Sequence, residues 1–167
     1  MLTGGHPNSL GNTIEVVEHI FATPAQLADL YECYDSADEV VRLRTSNAFK
    51  RVWREQPEWV VPYIDRFLDE VAAIEQASAR WTVADLCREL CKYFSPAQSE
   101  RALVVLKQFL ANENDWIVLN NTLKALEPFA KKDAELQAYM RPHLARLAAD
   151  PRKSVSKKAA KLLAAIG

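Results

Sequence analysis

Residues 41–49, VRLRTSNAF, form a pattern that recurs three more times along the chain. Each copy begins with an apolar or small residue. The residues four, five and seven places later are mostly small or β-branched. The other copies are residues 79–87, 118–126 and 155–163, so the starting positions are 38, 39 and 37 residues apart. A nearly constant spacing of this length indicates an array of repeated helical units. We expect Ala48, Ala79, Ala125 and Ala159 to lie at close helix-helix contacts in such an array.

Helix-start signals divide the sequence at similar intervals. Thr23 and Ser95 each stand before a proline and three residues before a glutamine, which is the pattern of an N-cap, Pro at the first helical position and a capping box. The apolar spacing between these signals is helical, without a stretch of strict alternation. The sequence therefore predicts helices at about 13–21, 24–35, 38–55, 58–74, 77–93, 96–111, 115–127, 134–149 and 152–166.

The repeated unit resembles a HEAT repeat, in which a proline-bent first helix, as suggested by Pro62 and Pro142, precedes a second helix opening with V-R-x-x-A-A-x-A-L. The resemblance covers about residues 24–166. It implies an all-α, armadillo-like fold: a right-handed α-α superhelix (solenoid) of about four hairpins plus a short N-terminal helix. Residues 1–23 would be an N-terminal loop and capping helix, and 24–167 the repeat domain of a single-domain protein. The loop 4–12 is also similar to the N-terminus of small bacterial HEAT-like proteins.

Composition excludes several classes of protein. The chain has 167 residues and a net charge of -1, which provides no whole-protein argument for binding nucleic acid or an anionic membrane. Its glycines are Gly4, Gly5, Gly11 and Gly167, so residues 12–166 contain none. Phosphate-binding glycine loops, dinucleotide fingerprints and the G-x-S-x-G nucleophile elbow are therefore ruled out.

The cysteines and the apolar runs bear on location and metal binding. Cys33, Cys87 and Cys91 leave an odd thiol, no secretory leader is apparent, and no apolar run reaches the ~18 residues that span a bilayer. We therefore expect a cytoplasmic protein with reduced thiols and no membrane partner. Cys87 and Cys91 share a helical face but lack a second ligand pair, so packed apolar cysteines are favoured, with no metal and no cofactor.

The second helices of HEAT hairpins line the concave face of the array, so the exposed stripe of these helices is the candidate surface. If Val41, Thr45 and Phe49 mark the buried stripe of the first such helix, the opposite stripe is mostly basic. Two interpretations remain: a solvated face with ordinary charges, or a groove for a protein partner, especially an acidic one. The candidate partner-binding residues are Arg44, Asn47, Arg51, Arg54, Trp81, Asp85, Lys92, Asn121, Lys124, Lys158 and Lys161.

The alternative partner is nucleic acid. Trp81 and Asp85 lie four residues apart, hence on one helical face, as a Trp and an Asp do in HEAT-like alkylation-repair DNA glycosylases. In those enzymes an arginine follows one repeat onward, where this chain has Asn120 or Asn121. Catalysis is therefore not expected, and no Ser or Cys, His and acid triad is visible. A non-catalytic binding or scaffold module that holds a protein is the favoured function.

Charge is graded along the sequence. Residues 1–41 contain seven acidic residues and no Lys or Arg, whereas residues 152–167 contain five basic residues and no acidic one. Such an asymmetry predicts electrostatic steering of a partner or of another copy of the chain. Polar caps at the ends of a repeat array explain the same pattern without any partner.

Overall fold

A computed structural model describes residues 1–4, 6 and 9–167. Helices make up about 80% of these residues, and none of them lies in a β-strand, which confirms the predicted all-α class. The chain divides into two compact units, Met1–Val83 and Ala84–Gly167. The boundary falls inside a helix. Gly5, Pro7 and Asn8 of the N-terminal loop, on which part of the resemblance rests, lie outside the described residues.

The first unit begins with α1 (Thr13–Ala22), which packs against α3 (Glu39–Glu55). Between them, α2 (Leu27–Glu32) is flanked by 3₁₀ turns at Pro24–Gln26 and Cys33–Asp35. After α3, the predicted helix 58–74 is broken into α4 (Pro57–Val60), a 3₁₀ turn, α5 (Ile64–Asp69) and a second 3₁₀ turn. The first of these turns, Val61–Tyr63, contains Pro62, which cannot donate an amide hydrogen bond to the preceding helical turn.

Helix α6 (Ala77–Glu89) crosses the boundary, and a 3₁₀ turn at Cys91–Tyr93 follows it. The second unit continues with α7 (Pro96–Asn112), α8 (Trp116–Ala130), α9 (Ala134–Ala148) and α10 (Lys153–Ile166). Helix α8 packs against α7, and α10 packs against both α9 and α8. Pro142 lies within α9 without ending it, unlike Pro62.

The predicted helix starts are correct to within a few residues, but their capping groups are only partly so. Ser95 and Gln98 form the predicted capping box. Asp38 caps α3 by accepting a hydrogen bond from the Val40 amide at 2.8 Å. The side chain of Thr23 makes no capping hydrogen bond, and the chain after it begins as a 3₁₀ turn.

Small residues of the repeated pattern are buried as expected. Ala48, Ala79, Ala125 and Ala159 are all 0% exposed. Because an alanine side chain ends at Cβ, it permits a neighbouring helix to approach closely. In the first unit, the neighbouring Phe49 belongs to an aromatic cluster and packs edge-on to Phe67 at 5.1 Å between ring centroids.

Enlarging one of these alanines tests the packing. Ala125→Phe should lower the free energy of unfolding by about 1–3 kcal/mol, because a closed core has no room for the ring. Ala145→Phe on the exposed side of α9 is the matched control and should change it by less than about 0.5 kcal/mol. Urea denaturation of both variants provides the measurement. A wild-type midpoint for Ala125→Phe would contradict the close packing of α8.

Candidate functional site

A groove of about 480 Å³ lies between helices α8 and α10 in the second unit. Its apolar floor includes Leu123, Leu162 and Ala165, and Leu162 is only 6% exposed. Lysines dominate its rim. We call this cavity the lysine groove; its remaining lining residues are Lys124, Glu127, Lys153, Ser154, Lys157, Lys158 and Lys161.

The sequence of α10 explains why one side of this helix supplies four of the lysines. Val155, Ala159, Leu162 and Ile166 are buried and lie three or four residues apart, so they form the face that packs on the unit. The lysines occupy positions beside and opposite that face. Their long side chains pass over the apolar floor while the ammonium groups remain near water.

The electrostatics of the lysine groove favour an anion. Five lysines line it against a single carboxylate, Glu127. Burial lowers the pKa of Lys158, and the positive charges of Lys124 and Arg88 lower it further. These groups therefore repel one another at neutral pH, and a bound anion would relieve that repulsion.

The loop before α10 is held by an arginine. Arg152 donates hydrogen bonds to both carboxylate oxygens of Asp150, at 2.8 and 2.6 Å, and to the backbone carbonyl of Asn114. These bonds lower the pKa of Asp150 to about 2, so its carboxylate stays charged at neutral pH. The arginine thus connects the start of α10 to the loop before α8, the two helices that form the groove.

Arg44 is not on an exposed stripe, which corrects the prediction from the sequence. Its side chain is 0% exposed, and its guanidinium donates five hydrogen bonds to the N-terminal segment. The acceptors are the carbonyls of Leu2, Gly4, His6 and Ser9 and the Ser9 hydroxyl. The helix pattern could not show that a segment more than 30 residues earlier in the chain covers this face. Arg44 therefore cannot contact a partner in this structure.

Asp85 and Asn121 are also buried, although the sequence predicted that they are exposed. Asp85 is 5% exposed and pairs with Arg88 at 3.1 Å, and Asn121 is 9% exposed. Trp81 is half-buried, and the Lys50 ammonium lies 5.7 Å from its ring centre. With Asp85 buried, only the tryptophan of the proposed glycosylase-like pair is accessible to a ligand. Asp85 and Asn121 are buried for the same reason: α6 and α8 are each covered on more than one face.

The remaining candidates differ in their exposure. Arg54 and Lys92 are exposed, whereas Arg51 and Asn47 are half-buried. The Asn47 side chain donates a hydrogen bond to the Leu43 carbonyl of its own helix at 3.1 Å. The role of these four residues in binding stays a prediction.

The structure brings together three of the predicted residues, Lys124, Lys158 and Lys161, and adds two that the sequence did not suggest. Lys153 and Lys157 line the same groove. The exposed stripe of α10 does not predict them, because a groove between two helices also collects side chains from the flanks of each stripe. The five basic residues within 152–167 were the available signal.

A metal-binding cluster is absent from residues 1–4, 6 and 9–167, where His, Cys, Asp and Glu form no group of three that could hold an ion. Burial raises the pKa of the Cys87 thiol, and Cys91 is half-buried. No helix in that part of the chain combines the length and apolarity needed to cross a bilayer. Comparisons with protein-family models, curated proteins and solved structures found no match to this chain.

Proposed function

We propose that this protein is a non-catalytic binding module that holds an acidic protein partner in the lysine groove. The observation that carries the proposal is the combination of five lysines with an apolar floor in one cavity. Lysine ammonium groups attract carboxylates, and the floor accepts an apolar side chain between them. A specific interface needs both an apolar centre and a polar rim.

The proposed architecture is a right-handed stack of about four HEAT-like hairpins, with the groove on its concave face. Within the second unit, α9 and α10 are joined by residues 149–152 and pack against each other, as the helices of one hairpin would. The recurring pattern at 41–49, 79–87, 118–126 and 155–163 supports the same arrangement along the chain. Extended grooves of this kind are the usual binding surfaces of helical repeat proteins.

Poly-L-glutamate is a suitable probe for the proposal. The wild-type protein should bind it, and Lys158→Glu/Lys161→Glu should weaken binding at low salt by about tenfold, since two attractive charges become repulsive. Lys131→Glu/Lys132→Glu is the matched control, because it makes the same change in net charge outside the groove. Fluorescence anisotropy of the labelled polymer measures both. Equal losses in the two variants would contradict a role for the groove.

Duplex DNA in a parallel titration separates a protein partner from nucleic acid. Neutralising several phosphates makes the logarithm of the binding constant fall steeply with the logarithm of salt concentration. Tighter binding of duplex DNA than of poly-L-glutamate at physiological salt, with that slope and with loss in the groove variant, would replace the protein partner by nucleic acid.

A further inference from the structure

The two units carry opposite net charges. Residues 1–83 contain 13 acidic and 7 basic residues, a net charge of -6, whereas residues 84–167 contain 9 acidic and 14 basic residues, a net charge of +5. The whole chain has a net charge of -1, so copies of it repel one another only weakly. The first unit of one copy is therefore electrostatically complementary to the second unit of another.

Helix α1 has an outer face that combines acidic and apolar side chains. Ile14 is 44% exposed and Phe21 is 36% exposed, and with Glu18 they follow a spacing of four and three residues. Side chains at this spacing share one helical face, and Glu15 flanks it. We call Ile14, Glu15, Glu18 and Phe21 the α1 stripe. The opposite face of α1, which includes Val16 and Ile20, is buried and faces the unit.

The α1 stripe is chemically complementary to the lysine groove. Its two large apolar side chains match the floor formed by Leu123, Leu162 and Ala165, and its two carboxylates match the lysine rim. Within the described part of the chain, neither Glu15 nor Glu18 forms an ion pair. An amphipathic helix whose apolar side chains enter a groove is a common mode of protein recognition.

We infer that the acidic partner of the lysine groove is a second copy of this chain, which inserts its α1 stripe. This inference rests on the proposed function, because it names the occupant of the same groove. The two surfaces are different patches, so the contact is head-to-tail and leaves a free stripe and a free groove on the pair. Such contacts extend into open chains unless their geometry closes a ring. One helix face in one groove is a small interface, so we expect weak, salt-sensitive association.

Sedimentation velocity of the full chain tests this inference. The weight-average mass of the wild type should rise above the 18.9 kDa monomer with increasing concentration at low salt and return to it at high salt. Two double variants each remove one surface: Lys158→Glu/Lys161→Glu in the groove and Glu15→Lys/Glu18→Lys in the stripe. Each variant alone should remain monomeric at concentrations where the wild type associates.

Mixing the two variants makes the test decisive. The groove variant retains its acidic stripe and the stripe variant retains its lysine groove, so an equimolar mixture should recover association, with a constant about tenfold above either variant alone. Circular dichroism and melting temperature check that both variants fold. A mixture that stays monomeric, or variants that associate as the wild type does, would overturn the inference.

Poly-L-glutamate distinguishes failure of this inference from failure of the proposed function. The stripe variant keeps its groove and should bind the polymer at least as well as the wild type. Polymer binding by a wild-type protein that stays monomeric at all concentrations would overturn self-association and leave the proposed function intact. Absence of both polymer binding and self-association would overturn both.

Discussion

Replacing Arg44 with methionine should lower the free energy of unfolding by about 2–4 kcal/mol. The guanidinium is fully buried and donates to five acceptors in the N-terminal segment, the shortest contact being 2.6 Å to the Gly4 carbonyl. A hydrogen bond from a charged group contributes about 1.5–3 kcal/mol, but the freed carbonyls can regain water if the segment detaches. Detachment therefore limits the loss to less than the sum of the five bonds.

Hydrogen exchange identifies where the Arg44→Met effect arises. Amides of the N-terminal segment before α1 should exchange faster in the variant, while those of α8 and α10 should keep their protection. Arg51→Met is the matched control, because Arg51 lies two turns further along α3 and is half-buried; it should change the free energy of unfolding by less than about 0.5 kcal/mol. Equal losses in the two variants would contradict a specific role for the buried guanidinium.

Gly11→Ala should lower the free energy of unfolding by about 2–4 kcal/mol, because the new side chain would be strained and would clash with Arg44. Gly11 has a φ of +50°, a conformation that costs other residues about 1–2 kcal/mol. A Cβ at this position would lie 2.7 Å from Arg44 Cζ and 2.9 Å from Nη1. The guanidinium is buried and held by five hydrogen bonds, so moving it away from the new Cβ would break some of them.

A double-mutant cycle separates the two components of the Gly11→Ala effect. The backbone component is the cost of placing alanine at a φ of +50°, and an Arg44→Met background isolates it, because the guanidinium that a Cβ at position 11 would meet is then absent. In an Arg44→Met background, Gly11→Ala should cost only that backbone component, so the two losses should be non-additive by at least about 1 kcal/mol. Urea denaturation measures all four proteins. Additive losses would show that the contact between the new Cβ and Arg44 does not contribute to the loss of stability.

Much of the helical structure could be predicted from local sequence signals. Ser95 with Gln98 marked the start of α7. Caps, prolines and apolar spacing act within one or two helical turns, so they can be recognised without knowing what a helix packs against. The burial of Ala48 and Ala125 followed from the repeated pattern for the same reason.

The candidate site could be predicted only in part. Lys124, Lys158 and Lys161 line one cavity, and this lysine groove exists because α10 packs against α8. Pocket formation depends on the packing of two helices, which the amphipathic pattern of either one does not specify. The same packing of α10 on α8 places Lys153 and Lys157 in the groove.

The sequence alone determined the all-α class, the approximate helix bounds and the small residues at buried positions, because these depend on backbone propensity and on the periodicity of side chains along one helix. The tertiary structure alone decided which polar residues are accessible. Arg44 and Lys158 both lie opposite apolar stripes in sequence, yet a distant segment buries Arg44 completely while Lys158 faces an open groove. Exposure is a property of everything that surrounds a side chain, and for Arg44 the covering atoms come from residues 35 to 42 positions away.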